Sequence, residues 1–118
     1  MQKNNLLHQK SYAFAIRAVR LSQYLAKEKK EYILGKQILR SGTSIGALVS
    51  ESEFAQSRAD FINKLTIGLK EANETKYWIN LLHDTSFISE SMHKSLFEDI
   101  KEIIRIMVAI IKKLKEKQ

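Results

Sequence analysis

The residues of this sequence that could do chemistry begin with its three histidines, His8, His83 and His93. Glu90 and His93 form an E-x-x-H pair, the spacing with which di-iron bundles ligate metal. That chemistry needs a second E-x-x-H and two more inward glutamates. No second pair exists, and Glu90 falls at a helix start, so no metal site is expected. Ser41, Thr43 and Ser44 offer hydroxyls without a matching His and Asp, and serines in a run of small residues act more often as packing spacers. Glu51, Glu71 and Glu74 could pair as carboxylates. Such residues more often make ion pairs between helices, here with Arg40, Arg58 or Lys64. No glycine-rich loop leads into a helix in the phosphate-binding pattern. The absence of cysteine excludes a thiolate nucleophile, a disulfide framework and cysteine-ligated zinc. The expectation is a protein that is not an enzyme and carries no cofactor.

What remains is charge. The formal net charge is +7 and the pI is near 9.7, a balance that suits nucleic acid, an anionic surface or an acidic partner. Lys3, Lys10, Arg17, Arg20 and Lys27 recur at intervals of seven or three, so they share neighbouring ridges of one helix. Lys112, Lys113, Lys115 and Lys117 add a second basic group near the C-terminus. These nine residues are the candidate phosphate contacts. A solvated helix face is the competing reading of the same stripe.

These side chains must be positioned by helices. Proline is absent, glycine is scarce, and 118 residues suit one domain with a real core. The first helix is expected from about Asn5 to Lys29, with Ala13, Ile16, Ala18, Val19, Leu21, Tyr24 and Leu25 facing inward. The second covers Gln37 to Glu51 and extends to about Phe54. Its middle holds Ser41, Gly42, Thr43, Ser44, Gly46 and Ala47. Two helical glycines cost roughly 1 kcal/mol each against alanine, so a close neighbour is expected at Gly42 and Gly46. Ser57 and Asp60 resemble a capping box that opens a third helix, Arg58 to His83. Phe61, Leu65, Leu69, Ala72, Ile79 and Leu82 form its inner face, with Ile62, Trp78 and Leu81 off it. Ser89 should cap a fourth helix ending near Lys115. There Leu96, Ile100, Ile103, Met107, Ile110 and Leu114 form a heptad seam, and Phe97, Ile104, Val108 and Ile111 form a second row. Two rows exceed what one small bundle buries. The second row is therefore expected at a subunit contact, and Trp78 either fills the core or, the reading preferred here, anchors such a contact. Four segments with short connections predict an all-α, up-down-up-down four-helix bundle over residues 1–118. The N-terminus lacks a signal-peptide core. The longest apolar run, Ile103–Ile111, is interrupted by Arg105 and too short for a bilayer, so a soluble cytoplasmic protein is expected.

Three stretches, RSGTSIGA (Arg40–Ala47), AQSRADFINKL (Ala55–Leu65) and LKEANETKYWINLL (Leu69–Leu82), together resemble a bacterial family. It is the family of four-helix bundle proteins encoded in intervening sequences of 23S ribosomal RNA genes. The resemblance spans roughly Lys10 to the end. It implies protomers that assemble into a ring, typically a pentamer. A relative of that family is the accessory variability determinant of diversity-generating retroelements, a basic ring that binds reverse transcriptase and nucleic acid. The resemblance thus implies RNA, DNA or a reverse-transcriptase-like protein as partner, and no membrane. It also covers Arg40, Ser44 and Glu51, which are expected in a buried polar cluster or subunit contact. Leu48 stands where the family tends to carry Asn, and Lys76 where it tends to carry an acidic residue. The expected function is a basic, homo-oligomeric scaffold associated with nucleic acid, or alternatively a protein adaptor that binds none.

Overall fold

The computed structural model describes residues 5–117, apart from the side chain of Asn5. Four helices follow one another: α1 (Asn5–Lys29), α2 (Ile33–Ser52), α3 (Arg58–Asp84) and α4 (Glu90–Glu116). Each packs on the next, and α4 returns beside α1 in a looser seam, giving an elongated bundle of 47 × 21 × 20 Å.

Local chemistry fixes where the helices begin and end. Before α3, Ser57 Oγ accepts from the Asp60 N–H at 3.0 Å, and Asp60 Oδ2 accepts from the Gln56 N–H at 3.2 Å. This satisfies amides that the first turn leaves unpaired. Ser89 Oγ caps α4 through the Met92 N–H at 3.1 Å. The start of α2 is held by Glu31, whose carboxylate accepts from the Leu34 and Gly35 N–H groups at 2.8 and 3.1 Å. At the end of α3, Ser86 takes a positive φ of 67°, and the Phe87 N–H reaches Leu82 O at 2.9 Å. That is the bond with which a Schellman turn closes a helix.

The core runs the length of the bundle through Phe14, Leu25, Ile38, Ile45, Leu65, Ile79, Leu82, Ile100, Ile103 and Met107, all essentially buried. The small residues of α2 let α1 come close. A Cβ on Gly42 would stand 2.7 Å from Ala18 Cβ, and one on Gly46 would stand 3.2 Å from the Ser11 carbonyl oxygen. α2 runs through this stretch as one unbroken helix.

Three sequence expectations are corrected. The inner line of α1 is Leu7, Ser11, Phe14, Ala18, Leu21 and Leu25, whereas Ala13, Ile16 and Val19 are exposed. Ile16 lies two residues from both Phe14 and Ala18, a spacing that turns it to the far side of the helix. In α4 the buried line passes from Met107 to Ile111, leaving Ile110 and Leu114 half-buried. A straight helix drifts about 20° per heptad against a strict 3.5 repeat, which shifts the seam over its last turns. In α3, Ile62 is buried and Leu69 is half-buried, the reverse of their expected places.

Candidate nucleic-acid interface and contact surfaces

The basic ridge of α1 faces carboxylates on α4. Lys10 Nζ lies 2.5 Å from Glu102 Oε1, and Arg17 lies 2.6 Å from Asp99 Oδ2 while also donating to Ser95 O at 3.4 Å. The Lys10 hydrogen bond holds the Glu102 carboxyl below its ordinary range, helped by the charges of Lys10 and Arg105 and opposed by desolvation. Two members of the ridge thus already have counter-charges. Arg20 and Lys27 are exposed and make no ion pair among the described residues. Lys3 lies outside the described residues. The sequence reading missed Asp99 and Glu102, although their place on the α1-facing side of α4 was open to helical-wheel reasoning.

The antiparallel seam, in which Lys10 meets Glu102 and Tyr24 shares a cleft with Met92, carries the last turns of α4 past the start of α1. Lys112, Lys113, Lys115 and Lys117 are all exposed without ion pairs among the described residues. They divide between two faces. Lys113 and Lys117 lie about four and five turns beyond Asp99, so by helical spacing they share the side of α4 that carries that carboxylate. Lys112 and Lys115 line an open groove against α3. Along the α1–α4 seam are two shallow clefts. One, of about 220 Å³, is lined by Lys10, Ala13, Phe14, Asp99, Glu102 and Ile103. The other, of about 260 Å³, is lined by Arg17, Arg20, Leu21, Tyr24, Met92 and Leu96.

Arg40, Ser44 and Glu51 do not form a buried polar cluster. Arg40 bridges Glu71 at 3.1 Å and Glu74 more closely, with its side chain half exposed. Trp78 Nε1 donates to the same Glu74 carboxylate at 2.9 Å. Glu51 pairs with Lys64 at 3.5 Å, and Ser44 Oγ donates to the Arg40 carbonyl at 2.6 Å. Arg40 and Glu51 are eleven residues apart on one helix, about 16 Å at 1.5 Å per residue, so each finds its own partner on α3. The buried polar pair is instead Thr75 Oγ1 to Ser41 Oγ at 2.9 Å.

The second apolar row of α4 is largely covered by its own chain: Ile111 is buried, Phe97 and Ile104 are half-buried, and Val108 is 45% exposed. Trp78 is half-buried, edge-on to the exposed Tyr77 at 5.0 Å. Larger exposures lie elsewhere: Phe54, between α2 and α3, is 83% exposed, and Tyr12 on α1 is well exposed at the head of an outward stripe with the less exposed Ile16 and Val19. The groove between α3 and α4, about 490 Å³, has Leu69, Val108 and Ile111 as its apolar lining, with Lys112, Lys115 and Glu116 beside them.

His83 and His93 stack at 4.3 Å, Phe97 continues the stack at 5.3 Å, and Asn80 Oδ1 holds His93 Nε2 at 2.8 Å. His8 sits 3.1 Å from Glu53. Among the described residues no three His, Cys, Asp or Glu side chains are grouped to hold a metal ion. Nor is any described helix long and apolar enough to cross a membrane.

Comparison with known proteins places this geometry. No curated protein matches the chain. A crystal structure of a protein of unknown function from the S23 ribosomal protein family, from Bacteroides thetaiotaomicron, is similar at 53% identity with a TM-score of 0.91. The match covers 94% of this chain and 99% of that one. The model of the 23S rRNA-intervening sequence protein family matches residues 3–109, and this chain belongs to that family.

Proposed function

We propose that this protein is a non-enzymatic, homo-oligomeric helical scaffold that holds nucleic acid by its phosphates. The observation that carries the reading is the set of exposed cations without carboxylate partners on and beside the α1–α4 face: Arg20, Lys27, Lys113 and Lys117. Phosphate binding requires positive charge at the surface and no contact with base edges. Several copies in one assembly multiply that face and raise avidity with no new contact. Exposed Tyr12, Ile16, Val19 and Phe54 support self-association, since apolar surface of this kind marks contact sites. Five copies is the number suggested by the family resemblance. The family's description makes RNA the natural probe, and a reverse-transcriptase-like protein is the second partner to test.

A protein adaptor without nucleic-acid binding is the second reading. It is favoured by the pairing of Lys10 and Arg17, which takes two cations out of the ridge. Retention on RNA or heparin as salt is raised separates the two. The scaffold reading expects tight binding at low salt and a steep linear fall of log affinity with log salt. The adaptor reading expects no retention beyond that of a neutral protein.

A further inference from the structure

We infer that Phe54 of one copy seats in the α3–α4 groove of the next, so that the chain assembles head to tail. The inference rests on the homo-oligomer reading above and names the contact that builds the assembly.

Phe54 is the most exposed large apolar side chain among the described residues. Its backbone is held rather than loose: the Phe54 N–H donates to Glu51 O at 3.0 Å, and the Ala55 N–H to Ser52 O at 3.2 Å. A fixed turn therefore presents a bare ring to solvent. Beside it stands Glu51, well exposed, whose one cation among the described residues is Lys64 at a long 3.5 Å, so the carboxylate keeps room for another. The projecting element is thus an apolar tip with an acid next to it.

The groove between α3 and α4 is its counterpart. Leu69, Val108 and Ile111 give the apolar floor, and Lys112 and Lys115 give two ammonium groups against the one carboxylate of Glu116. The groove is open to solvent, so it suits a side chain brought by another surface better than an enclosed small ligand. Apolar tip meets apolar floor while Glu51 meets Lys112 and Lys115, and such charge matching sets register and partner choice.

Placement decides what this contact builds. α2 and α4 end at the same end of the bundle; Phe54 follows α2 while the groove lies between α3 and α4, so tip and groove are two distinct patches. A contact between two different patches is heterologous, and it builds a ring where its rotation closes and a filament where it does not. The contact uses Lys112 and Lys115 and leaves Lys113, Lys117, Arg20 and Lys27 outside it.

The test uses Phe54→Ser and Val108→Lys in the full chain. Both positions are solvent-exposed in the single copy, so helical content and melting should stay near wild type. By sedimentation, wild type should show a mass of several chains and each variant alone a mass of one. An equal mixture should form a two-chain species, because the Val108→Lys copy keeps its Phe54 and the Phe54→Ser copy keeps its groove. A further pair checks the charge: Lys112→Glu with Lys115→Glu should give monomers, and adding Glu51→Lys should restore assembly. If wild type assembles and Phe54→Ser reaches the same mass, the inference is overturned while the oligomer reading stands. If wild type is itself a monomer, both fall. Folded single variants whose mixture stays monomeric overturn the head-to-tail assignment.

Discussion

Arg17 and Asp99 meet at 2.6 Å across the seam between α1 and α4, and this pair removes one cation from the basic ridge. Lys10 and Glu102 remove a second. The Arg17–Asp99 pair is partly exposed and is worth at most about 1 kcal/mol to the fold. Replacing Asp99 with Asn and Glu102 with Gln should therefore leave the bundle folded and free both cations. RNA affinity should rise at low salt. The logarithmic salt slope should steepen by about 0.7 to 0.9 for each freed cation that reaches a phosphate. Anisotropy titrations over a salt series measure this, and an unchanged slope would favour the adaptor reading.

The same seam makes a pH prediction. The Lys10 hydrogen bond holds the Glu102 carboxyl below its unfolded value. A depressed carboxyl contributes stability that is present above the unfolded value and is lost as pH falls through the folded one. Lys10→Gln should move the Glu102 titration back up toward the ordinary carboxylate range and remove its share of the acid dependence. Side-chain carboxyl titration by NMR reads this directly. Superimposable curves for the two proteins would show that Lys10 does not act on Glu102.

Glycine positions should differ in what they tolerate. At Gly42 an added Cβ meets Ala18 Cβ at 2.7 Å, and neither atom can swing away. At Gly68 the clash is with Met107 Cε, also at 2.7 Å, the mobile end of a flexible side chain. Gly42→Ala should lower stability by about 1–3 kcal/mol through overpacking. Gly68→Ala should cost less, and helix propensity favours it by about 1 kcal/mol. Urea melts of the two variants test the ranking, and equal effects would contradict the close α1–α2 approach.

Thr75 and Ser41 should behave as a unit. Their hydroxyls meet at 2.9 Å in the core. Thr75→Val alone leaves the buried Ser41 hydroxyl without that partner, which typically costs about 1–3 kcal/mol. The double variant Ser41→Ala with Thr75→Val should cost less than the two single changes added together. Additive losses in chemical melts would mean that the pair is not coupled.

Much of the fold was legible because strong local signals agreed. Ser57 with Asp60 and Ser89 marked helix starts that are capped as their types require, and α4 carried a clear heptad seam. The inner face of α1 was harder. Alanines and large apolar residues occur on both of its sides, so apolar type alone could not separate Ile16 from Phe14. Ser11 is buried against α2, which hydropathy would not suggest. Candidate contact residues were only partly legible. The sequence marks Arg17 as basic, but its neutralisation depends on Asp99, 82 residues away and aligned only by the antiparallel seam. Exposure of Phe54 likewise depends on how α2 turns into α3.

The central claim is that unpaired cations hold nucleic acid by charge alone. The most direct measurement is the salt dependence of RNA binding by the variant Arg20→Gln, Lys27→Gln, Lys113→Gln, Lys117→Gln beside wild type, with two RNAs of unrelated sequence. The account predicts weaker binding by the variant and a slope shallower by up to about 3.6 for the four cations, at roughly 0.7 to 0.9 per contact, alike for both RNAs. It predicts an unchanged oligomer mass. A variant that binds as tightly as wild type with the same slope would contradict it, and the charge would then be a solvated surface.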